Sequence, residues 1–260
     1  MRIVRYSHDR DGDRQVGFGI LEDDQMVAAI SPHPFGPFQY TGERLRLDQV
    51  RLLAPVLPSK IVAVGRNYAD HAAEFGNEVP SEPIIFLKPS TAVIGPEEAI
   101  VYPAGVDRVD YEGELAVVVG KLVRRLDHAN AMQAVLGFTC ANDVTARNLQ
   151  KLDGQWTRAK GFDTFCPLGP WIETDLDSSD LALRTLVNGE PRQQSRTSLL
   201  ERDVATLLAF ISGVMTLLPG DVVLTGTPSG VGPLRPGDRV EVEVEGVGVL
   251  ANPVAAEAVP

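Results

Sequence analysis

The sequence contains only two cysteines, Cys140 and Cys166, and neither lies in a CxxC motif or a Cys/His cluster. A disulfide framework is therefore not expected, and both residues are predicted to be buried thiols. Long apolar runs are also missing, since none approaches the ~18 residues that a membrane span requires. The N-terminal residues turn polar before a signal-peptide core develops. We therefore expect a cytoplasmic protein with no membrane partner.

Positive charge is scarce, with 24 Lys and Arg residues against 35 Asp and Glu residues and a net charge of −11. This balance argues against nucleic acid and anionic membranes as partners, because both would be repelled. Solubility is a sufficient reason for the acidity, although an anionic substrate would need a local cation. The 260 residues, 44% hydrophobic and 23% charged, suffice for one large globular domain with or without a small appendage.

Short strands separated by turns are predicted in the first part of the chain, for example at residues 15–21 and 26–30. Three prolines between residues 31 and 38 then interrupt regular structure. We predict that residues 1–57 form a small N-terminal β appendage without its own core, and that residues 58–260 form the main domain. Further strands are predicted at residues 61–64, 114–119, 221–225 and 239–244.

The clearest predicted helix covers residues 198–218. Its apolar side chains recur at helical spacing, Ser198 and Glu201 form a capping box, and Pro219 with Gly220 ends it. This apolar stripe predicts core packing and no chemistry.

The first candidate site is the segment 110–120, in which Glu112 and Glu114 lead into an apolar run. On a strand both side chains point to the same face, with their Cα atoms roughly 6.5–7 Å apart. Buried carboxylates repel each other and raise each other's pKa unless a cation lies between them. Oxygen ligands at this spacing suit a hard cation such as Mg²⁺, Mn²⁺ or Ca²⁺.

The chain contains its own comparison for this spacing. Glu241, Glu243 and Glu245 are spaced identically but alternate with valines, which is the pattern of an ordinary half-exposed strand. The residues after Glu114 are apolar on both faces, which favours a buried strand. From these residues alone, a metal site and a solvent-facing strand remain open alternatives.

The second candidate follows a strand that is predicted to end near Asn142. A helix starting at Asp143 would place Asp143, Arg147 and Gln150 on one face. A carboxylate, a guanidinium and an amide so arranged can bind a metal and the carboxylate of a metal-bound ligand. The alternative is that Asp143 only caps the helix and pairs with Arg147.

The third candidate is a His–Glu pair on a short helix that Asn67 is predicted to cap and Gly76 to end. His71 and Glu74 lie at i,i+3, close enough to touch. A carboxylate beside an imidazole orients the ring and raises its basicity, as a general base requires. A surface His–Glu pair remains the alternative.

Two further residues stand out. Lys160 lies among aromatic residues, where its ammonium group could stabilise a developing enolate, or it could be an ordinary surface lysine. Thr227 lies in a Gly-rich turn that lacks the lysine of a phosphate-binding loop and does not open a helix. Its hydroxyl could bind a substrate carboxylate or simply hold the turn.

Taken together, these segments resemble the fumarylacetoacetate hydrolase family over about residues 58–253. The resemblance is greatest to the bacterial acylpyruvate hydrolases, 2-hydroxyhepta-2,4-diene-1,7-dioate isomerases and oxaloacetate decarboxylases. It implies an α+β, predominantly β fold, a mixed β-roll or sandwich with a few helices, usually assembled as a homodimer. The motifs that carry it are, in order, GRNYADHAAE, IIFLKPSTAVIGP, DYEGELAVVVG, NDVTAR, WTRAKGFDTFCPLGP, VNGE and LLPGDVVLTGTPSGVG.

The resemblance also implies roles for single residues. His71 and Glu74 would form the catalytic dyad on a helix that closes as a lid, and Lys160 would stabilise the enolate. The metal would be Mg²⁺ or Mn²⁺, with Ca²⁺ as a further candidate, and its ligands would be Glu112, Glu114 and Asp143. The implied substrate contacts are Arg66, Tyr68, Arg147, Gln150 and Thr227.

The implied activity is metal-dependent hydrolysis of a C–C bond in a small 2,4-dioxo acid of the acylpyruvate or fumarylpyruvate type, through a metal-stabilised enolate. His71, oriented by Glu74, would deprotonate the attacking water. Isomerisation of 2-hydroxyhepta-2,4-diene-1,7-dioate, or decarboxylation of 5-oxopent-3-ene-1,2,5-tricarboxylate or oxaloacetate, would use the same enolate and remains an alternative. A metal-stabilised binding module is the alternative outside enzymes. A glycosidase is disfavoured, because neighbouring carboxylates on one strand can hardly flank a glycosidic bond.

Overall fold

A computed structural model describes residues 1–258, in which strands are the most common secondary structure and are separated by turns and a few short helices. The elements in chain order are β1 (Arg2–Arg10), β2 (Asp13–Leu21), β3 (Met26–Ser31), β4 (Gln39–Arg46), β5 (Arg51–Leu53), β6 (Ile61–Gly65), α1 (Ala69–Glu74), β7 (Ile84–Lys88), β8 (Val93–Ile94), β9 (Ile100–Tyr102), β10 (Val109–Tyr111), β11 (Gly113–Val119), β12 (Val135–Asn142), β13 (Thr145–Ala146), α2 (Arg147–Asp153), α3 (Thr157–Lys160), β14 (Cys166–Glu173), β15 (Ala182–Val187), β16 (Glu190–Arg196), α4 (Val204–Val214), β17 (Val222–Leu224), β18 (Gly232–Leu234), β19 (Arg239–Val244) and β20 (Gly248–Ala256). Short 3₁₀ helices cover Leu47–Gln49, Ser90–Ala92, His128–Ala134 and Thr197–Leu199.

The strands of residues 1–258 form three sheets. The largest has 12 strands, in the order β4-β3-β2-β1-β14-β12-β11-β17-β6-β7, with β5 paired to β1 and β8 to β14. The second has the order β13-β10-β18 and the third the order β16-β15-β19-β20-β9. Four short helices pack around them, so the predicted fold class, predominantly β with a few helices, is confirmed.

The central strand β11 is buried on both faces. Leu115 and Val117 belong to the core that α4 and the third sheet cover, whereas Ala116 and Val118 belong to the core on the opposite face. Alternate side chains of a strand point to opposite faces, so both faces of β11 must be apolar. The apolar run that follows Glu114 is therefore a strand buried on both faces, as the sequence predicted.

The N-terminal strands extend the large sheet. β1 pairs with β14 in antiparallel fashion, with Ile3 opposite Ile172. Ile3 and Ile20 also share one core cluster with Ile61 of β6. The division of the chain into residues 1–57 and 58–260 remains a prediction.

The prediction of a helix over residues 198–218 is wrong at both ends, because α4 covers only Val204–Val214. Its N-cap is Asp203, whose carboxylate accepts a hydrogen bond from the Thr206 N–H (2.8 Å). Before this cap the chain is extended or 3₁₀, and after Val214 it becomes extended so that Leu217 can form an antiparallel bridge. Tertiary pairing thus overrides a helical apolar period.

We expect Asp203→Ala to lower the free energy of unfolding by about 1 kcal/mol, because it leaves an N-terminal amide of α4 without its cap. Ser198 donates instead to Asp180 (2.7 Å), so Ser198→Ala should change the stability by less than about 0.5 kcal/mol. Urea denaturation of the two variants measures the difference. A larger loss in Ser198→Ala than in Asp203→Ala would restore the originally predicted capping box.

Candidate metal centre and active-site cavity

Three carboxylates meet where β11 begins and β12 ends. The two strands pair so that Asn142 lies opposite Gly113, and Asp143 follows immediately. The Asp143 N–H donates to the Glu112 carbonyl (2.8 Å), and the Glu112 N–H donates to the Asn142 side chain (2.9 Å). One carboxylate oxygen each of Glu112, Glu114 and Asp143 therefore lies within 4.8 Å of the others, and all three side chains are buried.

The segment after Asp143 corrects one prediction. No helix starts at Asp143, because Thr145 and Ala146 pair with β10 and keep the chain extended. Helix α2 begins at Arg147 instead. Asp143 is therefore neither a helix N-cap nor on one helical face with Arg147 and Gln150, and its place beside Glu112 comes from strand pairing.

Glu112 is held by two buried cations. Arg147 Nη2 donates to one carboxylate oxygen (2.6 Å) and Lys160 Nζ to the other (2.7 Å). Burial acts to raise the pKa of Glu112, but Lys160 and Arg147 outweigh it and hold the pKa far below its usual range. Glu112 is consequently ionised.

Glu114 lies in a different environment. Within residues 1–258 its carboxylate receives a hydrogen bond from the Gly226 N–H (2.6 Å), and no ion pair reaches it. Burial and the neighbouring Asp143 and Glu112 carboxylates raise its pKa well above the usual range. A buried carboxylate crowded by two others is stabilised by a cation, and three carboxylate oxygens suit a hard divalent ion. The donor set therefore fits Mg²⁺, Mn²⁺ or Ca²⁺.

Two lysines surround Asp143. Lys160 Nζ bridges Asp143 (2.5 Å) and Glu112 (2.7 Å) and lies 5.1 Å from the centre of the Phe86 ring. Burial opposes its charged form, but Asp143 and Glu112 outweigh burial and raise the pKa of Lys160, so it stays an ammonium ion. Lys160 is thus not a surface lysine. Lys88 Nζ donates to the other Asp143 oxygen (2.6 Å) and was missed by sequence reasoning, although a lysine ending an apolar strand was a usable signal.

The His–Glu pair lies on α1. His71 Nδ1 is 3.4 Å from Glu74 Oε2, and the His71 ring packs edge-on against Phe75. The His71 side chain is 11% exposed and that of Glu74 is 32% exposed. The imidazole therefore lines the cavity as a largely buried group, whereas the Glu74 carboxylate is more exposed.

The predicted cap of this helix is wrong. Asn67 does not cap α1, because its Nδ2 donates to the carbonyls of Arg202 (2.9 Å) and Thr225 (2.8 Å). Tyr68 precedes the first helical residue. Gly76 follows the helix with a φ of +66°, a conformation that favours glycine, so the predicted end of the helix holds.

A cavity of about 280 Å³ joins the acidic triad to the dyad residue His71. Trp156 and Phe86 form an aromatic wall, with their rings 5.2 Å apart and nearly perpendicular. Gly65 lies against this wall, and a Cβ atom there would approach the Trp156 ring to 2.7 Å. Glycine at this position therefore allows the Trp156 ring to pack directly against the backbone.

The five predicted substrate contacts are distributed unevenly. Four of them line the cavity, namely Arg66, Arg147, Gln150 and Thr227. The fifth, Tyr68, is 1% exposed and lies outside the lining, and burial raises its pKa. Arg147 also binds Asp110 (2.9 Å) and Gln150 (2.8 Å), so its guanidinium is already oriented by the protein.

Comparison with known proteins places this site in a family. Residues 60–255 match the profile of the fumarylacetoacetate (FAA) hydrolase C-terminal family, and residues 1–55 match the Rv2993c-like N-terminal family. The chain belongs to the fumarylacetoacetate hydrolase family. The members of this family are enzymes, so the protein is an enzyme rather than a binding module.

Several proteins similar to this chain are named for the reaction that they catalyse. A solved structure of 5-carboxymethyl-2-hydroxymuconate delta-isomerase from Mycobacterium smegmatis is 53% identical, with a TM-score of 0.92 over 99% of this chain and 100% of that one. A structure of 2-hydroxyhepta-2,4-diene-1,7-dioate isomerase from Mycobacterium marinum is 48% identical, with a TM-score of 0.90 over all of both chains. Mitochondrial oxaloacetate tautomerase Fahd2a from Rattus norvegicus is 44% identical over 80% of this chain and 70% of its own length.

Two further predictions concern the cysteines and membrane spans. Both cysteines are buried free thiols, as predicted. Among residues 1–258, no helix is long and apolar enough to cross a membrane.

Proposed function

We propose that this enzyme uses a divalent cation to transfer a proton at the enol form of a small 2-oxo acid, as an isomerase or tautomerase does. The proposal rests on the environment of Glu114. This buried carboxylate has no ion-pair partner in residues 1–258, and it lines the same cavity as His71. The names of the three relatives described above, two isomerases and a tautomerase, support proton transfer.

The charge of the cavity supports an anionic substrate. Four cationic and three carboxylate side chains line it, so the lining carries +1 although the chain carries −11. A divalent cation would raise this charge to +3, which suits the carboxylate of a 2-oxo acid and a second carboxylate of a diacid. The charged lining residues are Arg66, Arg147, Lys151, Lys160, Glu112, Glu114 and Asp143.

The residues divide the work as follows. A divalent cation held by the three carboxylates would polarise the 2-oxo group and stabilise enolate charge. His71, oriented by Glu74, accepts the proton from the carbon beside the 2-oxo group and returns it elsewhere on the enol. Lys160 and Arg147 supply fixed positive charge near the triad, and the Trp156–Phe86 wall excludes water from one side. We also propose that the cation is Mg²⁺ or Mn²⁺ and that the enzyme assembles as a homodimer.

Hydrolysis of a C–C bond in a 2,4-dioxo acid is the second candidate. It is favoured by the exposure of Glu74, since a water beside a half-exposed carboxylate is replaced easily from solvent. In that reaction His71 would deprotonate the water that attacks the remote carbonyl. Decarboxylation needs no such base, so the dyad does not favour it.

A substrate screen with product identification tests the proposal. We expect oxaloacetate and unsaturated 2-hydroxy diacids, in the presence of Mg²⁺ or Mn²⁺, to exchange carbon-bound protons with D₂O without losing carbon. Acylpyruvates should be turned over more slowly. Release of pyruvate from acylpyruvates as the dominant reaction would favour the hydrolase, and release of CO₂ the decarboxylase. A protein that turns over none of these acids contradicts all three.

A further inference from the structure

We propose that Asp70 and Ser229 are positioning residues that hold helix α1 so that the His71–Glu74 pair faces the cavity. This rests on the proposed function, in which that pair moves the proton. Ser229 Oγ donates to Asp70 Oδ2 (2.6 Å), and Asp70 Oδ1 accepts from the His71 N–H (2.7 Å). One carboxylate thus joins the loop after β17 to the backbone of the dyad histidine.

Helix α1 needs such an external contact. It has only six residues, and a helix this short is not stable without tertiary support. Ala72 is its deeply buried apolar side chain, and Phe75 at its end packs over the Arg147 guanidinium at 5.1 Å. These contacts fix the C-terminal part of the helix. Its start is anchored by the Tyr68–Leu200 bridge, and the Asp70–Ser229 hydrogen bond adds a contact on the side that faces the loop after β17.

The loop that carries Ser229 is anchored to the metal centre. The Gly226 N–H donates to the Glu114 carboxylate (2.6 Å), and Thr227 Oγ1 donates to the Gly113 carbonyl (2.9 Å). Gly230 has a φ of +95° and lies so close to the Arg192 carbonyl that a Cβ atom would be 2.3 Å from it. The loop is therefore a fixed support for the helix.

The same loop also orients the dyad carboxylate. The Gly230 N–H donates to Glu74 Oε1 (3.2 Å), while Glu74 Oε2 faces His71 Nδ1 (3.4 Å). If the first turn of α1 moves away from Ser229, both oxygens of Glu74 lose their alignment. The distance between the triad and the imidazole is therefore set through residues 226–230 and Asp70.

The test compares two serines that each donate to an aspartate. Ser229→Ala should lower kcat about 3- to 10-fold and change KM less than about 2-fold, because the loss of one charge-assisted hydrogen bond misplaces the base but not the substrate. Amide hydrogen exchange of residues 72–76 should accelerate by a similar factor. Ser198→Ala, which removes the matched 2.7 Å bond to Asp180 outside the cavity, should change neither quantity.

A conservative variant and the exchange measurement distinguish failure of the positioning role from failure of the proposed function. Ser229→Thr retains the hydroxyl and should restore most of kcat and of the exchange protection. Unchanged kcat and unchanged exchange in Ser229→Ala, or a rise in KM alone, would overturn the positioning role. If the wild-type enzyme turns over no 2-oxo acid, the proposed function fails. The exchange rates of the two serine variants then still decide whether Ser229 holds the helix.

Discussion

Dialysis against a chelator should lower the rate of turnover of 2-oxo acids at least about 10³-fold, and addition of Mg²⁺ or Mn²⁺ should restore it. The reason is the charge at Glu114, which burial and two neighbouring carboxylates make unfavourable until a cation binds. Lys160 pairs with both Glu112 and Asp143 but forms no ion pair with Glu114 in the described residues 1–258. Steady-state rates with stripped and reloaded protein measure the effect.

Glu114→Gln tests the same site without an activity assay. In stripped protein the variant should unfold at a higher temperature than the wild type, because the cost of burying an ionisable carboxyl beside two carboxylates is removed and the amide oxygen still accepts the Gly226 N–H. With Mn²⁺ the order should reverse, since a ligand at 100 times its Kd stabilises the wild type by about 2.7 kcal/mol.

Glu243→Gln is the matched control, because Glu243 has the same sequence spacing but pairs with Arg184 on a half-exposed strand. Its Mn²⁺ affinity, measured by calorimetry, should equal that of the wild type. Full turnover by stripped wild-type protein, or undiminished Mn²⁺ affinity in Glu114→Gln, would remove the metal site from the proposal.

The burial of the strand that carries Glu112 and Glu114 was favoured for a local reason, whereas their role as metal ligands came from the family resemblance. Glu112 and Glu114 precede a run that is apolar on both faces, and this run became the doubly buried β11. The contrasting series from Glu241 alternates with buried valines and is half-exposed, as its pattern predicted. Strand burial can therefore be read from composition when both faces are apolar.

The place of Asp143 beside Glu112, and the contact of Lys88 with Asp143, were not predictable from local pattern, although a lysine that ends an apolar strand signals burial. Asp143 joins the triad because Asn142 pairs opposite Gly113, and strand register is a tertiary property. The family resemblance supplied Asp143, while the local expectation of a helix there was wrong. Lys88 reaches Asp143 across 55 residues of sequence, from β7 at the end of the large sheet. Such contacts between distant segments follow from topology, which the residue pattern does not determine.

The second large effect is expected from His71→Ala, which should lower kcat about 100-fold or more because it removes the group that moves the proton. The imidazole lines the cavity and is only 11% exposed, and its Nδ1 faces Glu74 at 3.4 Å. His71 is not a triad member, so Mn²⁺ affinity should change less than about 2-fold. Steady-state kinetics and metal titration of the same preparation measure both quantities.

His128→Ala is the control for the loss of a His–carboxylate pair. His128 Nε2 lies 3.6 Å from Asp203 Oδ1 on the exposed surface, so its removal should leave kcat unchanged. Glu74→Gln should fall between the two variants, because the amide can still contact the ring but cannot stabilise an imidazolium. If His71→Ala retains full proton exchange, the base is another group. Loss of proton exchange with retained CO₂ release would assign His71 to proton transfer alone. Decarboxylation would then belong to the metal centre, because it needs no base at the position of His71.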